Sequence, residues 1–382
     1  MSLCNFQRTI NELAINSNLR FLPIAENRGK YVDIGGQLLL NFTSNDYLGL
    51  GIDVSLRDKF YKNIDIDKYS FTSSSSRLLG GKIKIYEELE NLLCSLYCSE
   101  AALIFNSGYH MNVGIIPAIS NNKTLIVADK FVHASIIDGI ILSRCNFFRY
   151  RHNDYEHLED IIKNNYNLYE QIIIVTESIF SMDGDKSDIL KLVEIKNRYP
   201  NILLYIDEAH AVGVVGKKGL GVAEECECIS EIDFLVGTFG KAIASVGAFV
   251  VCKEVVRNFL INKMRSFIFS TALPPINILW TFFIMNNLIN YNDKRILLNK
   301  LSEYFNSEIK NKGYVNNSKS QIIPVIVKEN KIAIEKSNDL LKHNIYVLAV
   351  RPPTVPEGTA RLRFSLNASM NFEEIKSIIK YI

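Results

Sequence analysis

The feature that most constrains this chain is a series of short apolar runs, each ending in polar or ionisable residues. Ala101–Phe105 is followed by Asn106-Ser107-Gly108-Tyr109, and Thr124–Ala128 by Asp129-Lys130-Phe131-Val132-His133. Gln171–Thr176 leads into Glu177, Ser178 and on to Ser181-Met182-Asp183-Gly184. Ile202–Ile206 runs into Asp207-Glu208-Ala209-His210, and Phe234–Gly237 into Thr238-Phe239-Gly240-Lys241. Ala248–Cys252 is a further apolar run. Short apolar runs bounded by polar residues read as buried strands. Between them lie stretches of polar or helical period, such as Leu158–Asn165 and Ser187–Arg198. This alternation predicts an α/β domain built around a mostly parallel sheet.

The flanking regions read differently. Leu38–Phe42 is a candidate strand, and Lys82–Cys98 a candidate amphipathic helix with Leu89, Leu92, Leu93 and Leu96 on one side. Past residue 285 the pattern changes, with Gln321–Val327, Ile345–Val350 and Arg361–Leu366 as strands and Ile332–Leu341 and Asn371–Ile382 as helices. Asn371 and Glu374 have the spacing of a capping box. The division this predicts is an N-terminal segment, 1–45, that packs with the small domain, a large α/β domain, 46–285, and a small α+β domain, 286–382.

Composition excludes several classes. Lys and Arg total 43 against 41 Asp and Glu, a net charge of +2 that implies no polyanion-binding surface and disfavours nucleic acid as a partner. No stretch approaches the roughly 18 apolar residues that span a bilayer, and the amino-terminal residues lack the apolar core of a signal peptide. Seven cysteines without a C-x-x-C pair read as reduced thiols in a cytoplasmic protein, with no metal site. Neither a P-loop nor a strand-linked G-x-G-x-x-G is present.

In an open α/β sheet ligands sit beyond the carboxyl ends of the strands, so the polar tails matter most. Singly, each has an ordinary explanation. Ser107-Gly108 is a turn, His133 a surface residue, Asp207 a helix cap, His210 a satisfied structural histidine. Lys241 stands apart, because Thr238-Phe239-Gly240-Lys241-Ala242-Ile243-Ala244 gives it apolar company that disfavours the ammonium form and makes the amine nucleophilic. A nucleophilic lysine, a carboxylate, an imidazole and a small-residue turn at a helix start are what pyridoxal 5′-phosphate requires: an amine for the aldehyde, an acid at the pyridine nitrogen, a ring to stack, and N–H groups for the phosphate. Their order along the chain matches the aspartate-aminotransferase-like enzymes that use this cofactor.

The motifs sharpen that likeness. Asn41-Phe42-Thr43-Ser44-Asn45-Asp46-Tyr47-Leu48-Gly49-Leu50, His133-Ala134-Ser135, Phe180-Ser181-Met182-Asp183-Gly184-Asp185, Asp207-Glu208-Ala209-His210 and Thr238-Phe239-Gly240-Lys241 together resemble the α-oxoamine synthase family. The segment from Arg351 to Arg363 (RPPTVPEGTARLR) resembles the branch that condenses L-alanine with a pimeloyl thioester in biotin synthesis. The resemblance covers nearly the whole chain and implies a fold type I architecture. It implies that Lys241 carries the cofactor as a Schiff base, that Asp207 pairs with the pyridine nitrogen and that His133 stacks on the ring. Ser181 and His210 would face the cofactor's 3′-oxygen side, and Gly108, Tyr109 and Thr238 its phosphate. Ser270 and Thr271 would reach the phosphate of a neighbouring subunit, which implies a homodimer with shared sites. Arg363 would hold the amino-acid carboxylate, with Asn45 among the substrate-binding residues and Arg20 and Thr354 near the acyl substrate. The thiol carrier, coenzyme A or an acyl carrier protein, stays open. Two other readings remain open: a family member using glycine or serine with another acyl donor, such as the glycine C-acetyltransferase or 5-aminolevulinate synthase type, and a non-catalytic scaffold subunit. One departure is the four-serine run Ser73–Ser76, where the family carries a glycine-rich run before the arginine matched by Arg77.

Overall fold

The computed structural model describes residues 3–20, 22–65, 68–81 and 83–382. They divide into two compact units, one formed by 53–181 with 186–295, the other by 1–52, 182–185 and 296–382.

The larger unit is built on a seven-stranded sheet. Its strands are β4 (Ala101–Phe105), β5 (Thr124–Asp129), β6 (Asn146–Tyr150), β7 (Gln171–Glu177), β8 (Ile202–Asp207), β9 (Phe234–Thr238) and β10 (Ala248–Cys252), in the spatial order β4-β10-β9-β8-β7-β5-β6. β10 runs antiparallel to both its neighbours, and the other strands share one direction. β4, β5, β8 and β9 are buried along almost their whole length. Such continuous apolar runs are what a sheet covered on both faces demands. Leu103, Ile126, Ile173, Val175, Val236 and Val250 pack with Met111, Ile115, Ile136 and Ile140 from two helices, Gly108–Ala118 and Ala134–Ser143. Burying each aliphatic side chain contributes about 1.5–3 kcal/mol. β6 differs because it is the edge strand, with Asn146–Arg149 exposed, so it lacks a strand-like apolar run.

The two helices approach closely at Gly139. A Cβ there would lie 2.6 Å from the carbonyl oxygen of Asn112 and 3.3 Å from the Ile116 Cβ. Only a missing side chain admits that contact, and it brings Asn112 of one helix within reach of Ser135 of the other.

The smaller unit has two sheets. β1 (Glu26–Arg28), β2 (Tyr31–Ile34) and β3 (Gln37–Asn41) form an antiparallel meander, joined by β12 (Ile345–Tyr346) in parallel, with Leu40 opposite Ile345. β11 (Ile322–Lys328), β14 (Ala360–Ser365) and β13 (Ala349–Val350) form the second. The apolar stretch 345–350 is therefore split between two sheets. Phe42, Phe305 and Phe364 cluster with ring centroids 5.1–6.3 Å apart. The last helix, Phe372–Ile379, carries the capping box of Asn371 and Glu374. The turn Met182–Asp185 is bound into this unit. Asp183 pairs with Arg361, and Gly184 accepts a hydrogen bond from Lys319 N at 3.0 Å.

The expected helix over 82–98 runs from Lys84 to Tyr97, and Lys82 itself lies outside the described residues. Among the described residues no helix is long and apolar enough to cross a membrane.

Candidate active site

Because β4, β5, β7, β8 and β9 run in one direction, their polar tails emerge at one edge of the sheet. Asp207 is the last residue of β8 and lies opposite Glu177, the last residue of β7. Asp207 is 5% exposed. Its Oδ1 accepts from Ala209 N at 2.9 Å and its Oδ2 from Asn112 Nδ2 at 3.0 Å. Burial holds Glu177 well above the usual carboxylate range, and the charge of Asp207 adds to this. Glu177 also accepts a hydrogen bond from His133 N at 2.6 Å.

His133 caps the Ala134–Ser143 helix. Its Nδ1 accepts from Ser135 N at 3.2 Å and lies 2.8 Å from Ser135 Oγ. Burial lowers its pKa, so the ring is favoured as neutral imidazole. Lys241 Nζ lies 2.8 Å from His210 Nε2, and His210 is buried in the turn after β8. Glu208 serves the scaffold. It accepts from Ser178 Oγ, Val222 N and Ala223 N, which anchors the short helix Val222–Glu225, and burial pushes its pKa up to about 7.

The Gly108–Ala118 helix starts at the end of β4. Ser107 accepts from His110 N through its side chain and from Met111 N through its carbonyl. The N–H groups of Gly108 and Tyr109 then remain as first-turn donors, the feature that suits an anion. Thr238 lies beside this turn, 3.9 Å from where a Gly108 Cβ would stand, and its hydroxyl bridges Gly247 O and Gly240 N. The Tyr109 side chain turns to Asp138, at 2.5 Å. Ser181 is partly exposed. Ser270 and Thr271 lie on a segment held to the serine run: Ser76 bridges Thr271, and Ser75 O accepts from Ala272 N at 2.9 Å. Within the same chain, Thr271 O accepts from Asn106 Nδ2 at 2.6 Å.

The remaining candidates belong to the smaller unit. Arg363 of β14 donates to Ser365 Oγ, Asn45 Oδ1 and Tyr47 Oη. Arg361, two residues earlier on the same face, is spent on Asp183. Arg20 donates to Thr354 Oγ1 at 3.0 Å. Arg351 donates to Ser17 O, and its own carbonyl accepts from Thr354 N at 3.1 Å, so both arginines meet at Thr354; burial, followed by the charge of Arg20, lowers the Arg351 pKa. Among the described residues no carboxylate forms an ion pair with either.

Sequence reasoning missed Asn112, Tyr205 and Arg351 as members of these clusters. Asn112 follows Gly108 by one helical turn and shares its face, a signal that was available. Tyr205 sat inside an apolar strand and gave none.

The sequence pattern of the aminotransferase class I and II family matches residues 38–382. The chain belongs to that family. A relative named "Putative 8-amino-7-oxononanoate synthase" from Glaesserella parasuis is 51% identical, with 98% of each chain covered. One of the same name from Haemophilus influenzae is 47% identical, with 99% of each covered. Among solved structures, an 8-amino-7-oxononanoate synthase from Francisella tularensis matches with a TM-score of 0.76 at 32% identity, covering 90% of this chain and 96% of that one. A serine palmitoyltransferase from S. paucimobilis matches with a TM-score of 0.90 at 25% identity, covering 100% and 97%. Within the aminotransferase family the chain is therefore an α-oxoamine synthase of fold type I, a pyridoxal-phosphate-dependent acyltransferase. Its strand-end cluster fits that cofactor. An amine, a buried carboxylate, a neutral imidazole and a helix start with first-turn N–H donors meet at one sheet edge.

Proposed function

We propose that the protein catalyses the decarboxylative condensation of L-alanine with a pimeloyl thioester, on coenzyme A or an acyl carrier protein. The products are 8-amino-7-oxononanoate, carbon dioxide and the free thiol carrier, a step of biotin biosynthesis carried out by a cytoplasmic homodimer. The observation that carries this reading is the pairing of Arg20 and Arg351 beside Thr354, with no carboxylate of the described residues to neutralise them. Two adjacent cations suit an acyl chain that ends in a carboxylate, as a pimeloyl group does. The names of the full-length relatives support the same choice.

When bound, pyridoxal phosphate supplies an electron sink that stabilises negative charge at the amino-acid Cα. Lys241 would anchor the cofactor through its amine, and the same amine, when free, is the base placed to take the Cα proton of alanine and later return it. A base so placed contributes about 10²–10⁴-fold. Asp207 would keep a proton at the pyridine nitrogen, and His133 would hold the ring by stacking. His210 orients Lys241, and with Ser181 faces the cofactor's 3′-oxygen side. Gly108 and Tyr109 would donate N–H groups to the phosphate, joined by Thr238 and by Ser270 and Thr271 of a neighbouring subunit. Arg363 holds the alanine carboxylate, with Asn45 fixing the guanidinium.

The test is a substrate panel. Purified holoenzyme is given L-alanine, glycine or L-serine with pimeloyl, acetyl or succinyl thioesters, and products are identified by mass. Alanine with the pimeloyl thioester should give by far the fastest turnover, and a faster glycine or acetyl reaction refutes the proposal.

A further inference from the structure

The Asn112 side chain is 2% exposed, and three of its four hydrogen-bonding positions, both N–H groups among them, are engaged by groups behind the strand-end cluster. Its Oδ1 accepts from the Tyr205 hydroxyl at 2.5 Å. Its Nδ2 donates to Asp207 Oδ2 at 3.0 Å and to Ser135 Oγ at 2.9 Å. The Ser135 hydroxyl, having accepted from Asn112, has its own proton left for His133 Nδ1 at 2.8 Å. His133 Nδ1 already accepts from Ser135 N, so it carries no proton. The ring is then the tautomer protonated at Nε2.

The amide has one allowed orientation. Exchanging its oxygen and nitrogen would set Oδ1 against a carboxylate oxygen of Asp207, two acceptors facing each other. Tyr205 supplies the donor that the actual orientation requires, and burial pushes its phenol well above the usual range, so it keeps its proton. The close approach of the two helices at Gly139 fixes the distance between Asn112 and Ser135.

We propose that Asn112 is a positioning residue of the reaction, whose single amide orients the Asp207 carboxylate and, through Ser135, turns a hydroxyl proton toward His133 Nδ1. Two groups that would face the cofactor from different strand ends are thereby tied to one side chain. The inference rests on the assignment of Asp207 to the pyridine nitrogen. It goes beyond that assignment in naming what holds the carboxylate in place. An amide that served packing alone could be replaced by leucine, of similar volume, without any change in the cofactor's electronic state.

The test uses holoenzyme of the parent and of Asn112→Leu, Asn112→Ser and Asp207→Asn. Pyridoxal phosphate affinity is measured, and the visible absorption of the bound cofactor is titrated with pH. Asn112→Leu is expected to weaken cofactor binding about 10- to 100-fold, the factor set by one hydrogen bond to a charged group. It should also move the titration midpoint by on the order of one pH unit, in the same direction as Asp207→Asn. Asn112→Ser, too short to reach Asp207, should do the same, and it carries the test if the leucine variant does not fold. If the folded Asn112 variants match the parent in both readouts while Asp207→Asn does not, the inference is overturned. If Asp207→Asn itself leaves the titration unchanged, the assignment of Asp207 fails, and this inference fails with it.

Discussion

Replacing Lys241 by alanine removes an amine that is only partly buried and lies 2.8 Å from the His210 imidazole. Product formation should be abolished while the unfolding midpoint stays near that of the parent; near-parental turnover in Lys241→Ala would contradict the assignment. Glu208 gives a separate handle. Burial pushes it from 4.5 to about 7, so between those values the folded chain keeps a proton that the unfolded chain has released. Stability contributed at this site therefore falls as pH rises through that window and is level above it, by about 3 kcal/mol in all. Glu177, also raised, acts with the same sign. His133, pushed down, acts with the opposite sign below its usual value of 6.5. Denaturant midpoints between pH 5 and 7.5 should show the stability of the parent relative to Glu208→Gln declining as pH rises; a constant difference would show that Glu208 does not titrate there. The residues of this site were unequally legible. Lys241 stood apart because an ammonium in apolar company is costly without a purpose, whereas Asp207 and His133 each had an ordinary reading and drew notice only as members of a series of polar strand ends. Asn112 did not, since a neutral amide in a helix has many uses, and its role arises only from what the sheet and the second helix bring to it.

At the scale of elements, apolar runs located the interior strands because burial on both faces leaves no freedom for polar side chains. The edge strand β6 escaped because solvent reaches both of its faces along Asn146–Arg149. The antiparallel direction of β10 also left no trace, since a buried strand reads the same either way. The serine run behaves as more than a spacer. Ser74 adopts a left-handed φ of 48°, Ser73 Oγ donates to Leu273 O at 2.7 Å, and Ser76 caps the next turn of helix. Hydroxyls thus fasten a loop that glycines would leave looser. Gly184 shows the reverse case. Its φ is +69°, and a Cβ would lie 1.9 Å from Ile322 O, a backbone atom that cannot step aside. Gly184→Ala should cost about 2 kcal/mol or more by chemical denaturation. A loss under about 0.5 kcal/mol would mean that the turn relaxes freely.

For the whole molecule, the proposed sharing of Ser270 and Thr271 between subunits makes a prediction that no single chain can satisfy. Lys241→Ala, and a variant carrying Ser270→Ala with Thr271→Val, should each be impaired alone. Refolded together they should regain activity, because a mixed dimer holds one site with all its groups intact. No recovery on mixing, with dimers confirmed by sedimentation, would place each site within one chain. The pairing of Leu40 with Ile345 joins the two ends of the chain in one sheet. A ribosome adding about 5–20 residues per second takes ~15–60 s to travel between them. Throughout that interval the nascent meander β1–β3 lacks its neighbour, and Leu40 and Phe42, buried in the finished chain, lack Ile345 and Phe364, which pack against them there. The start of this protein therefore cannot finish folding until its end has been made.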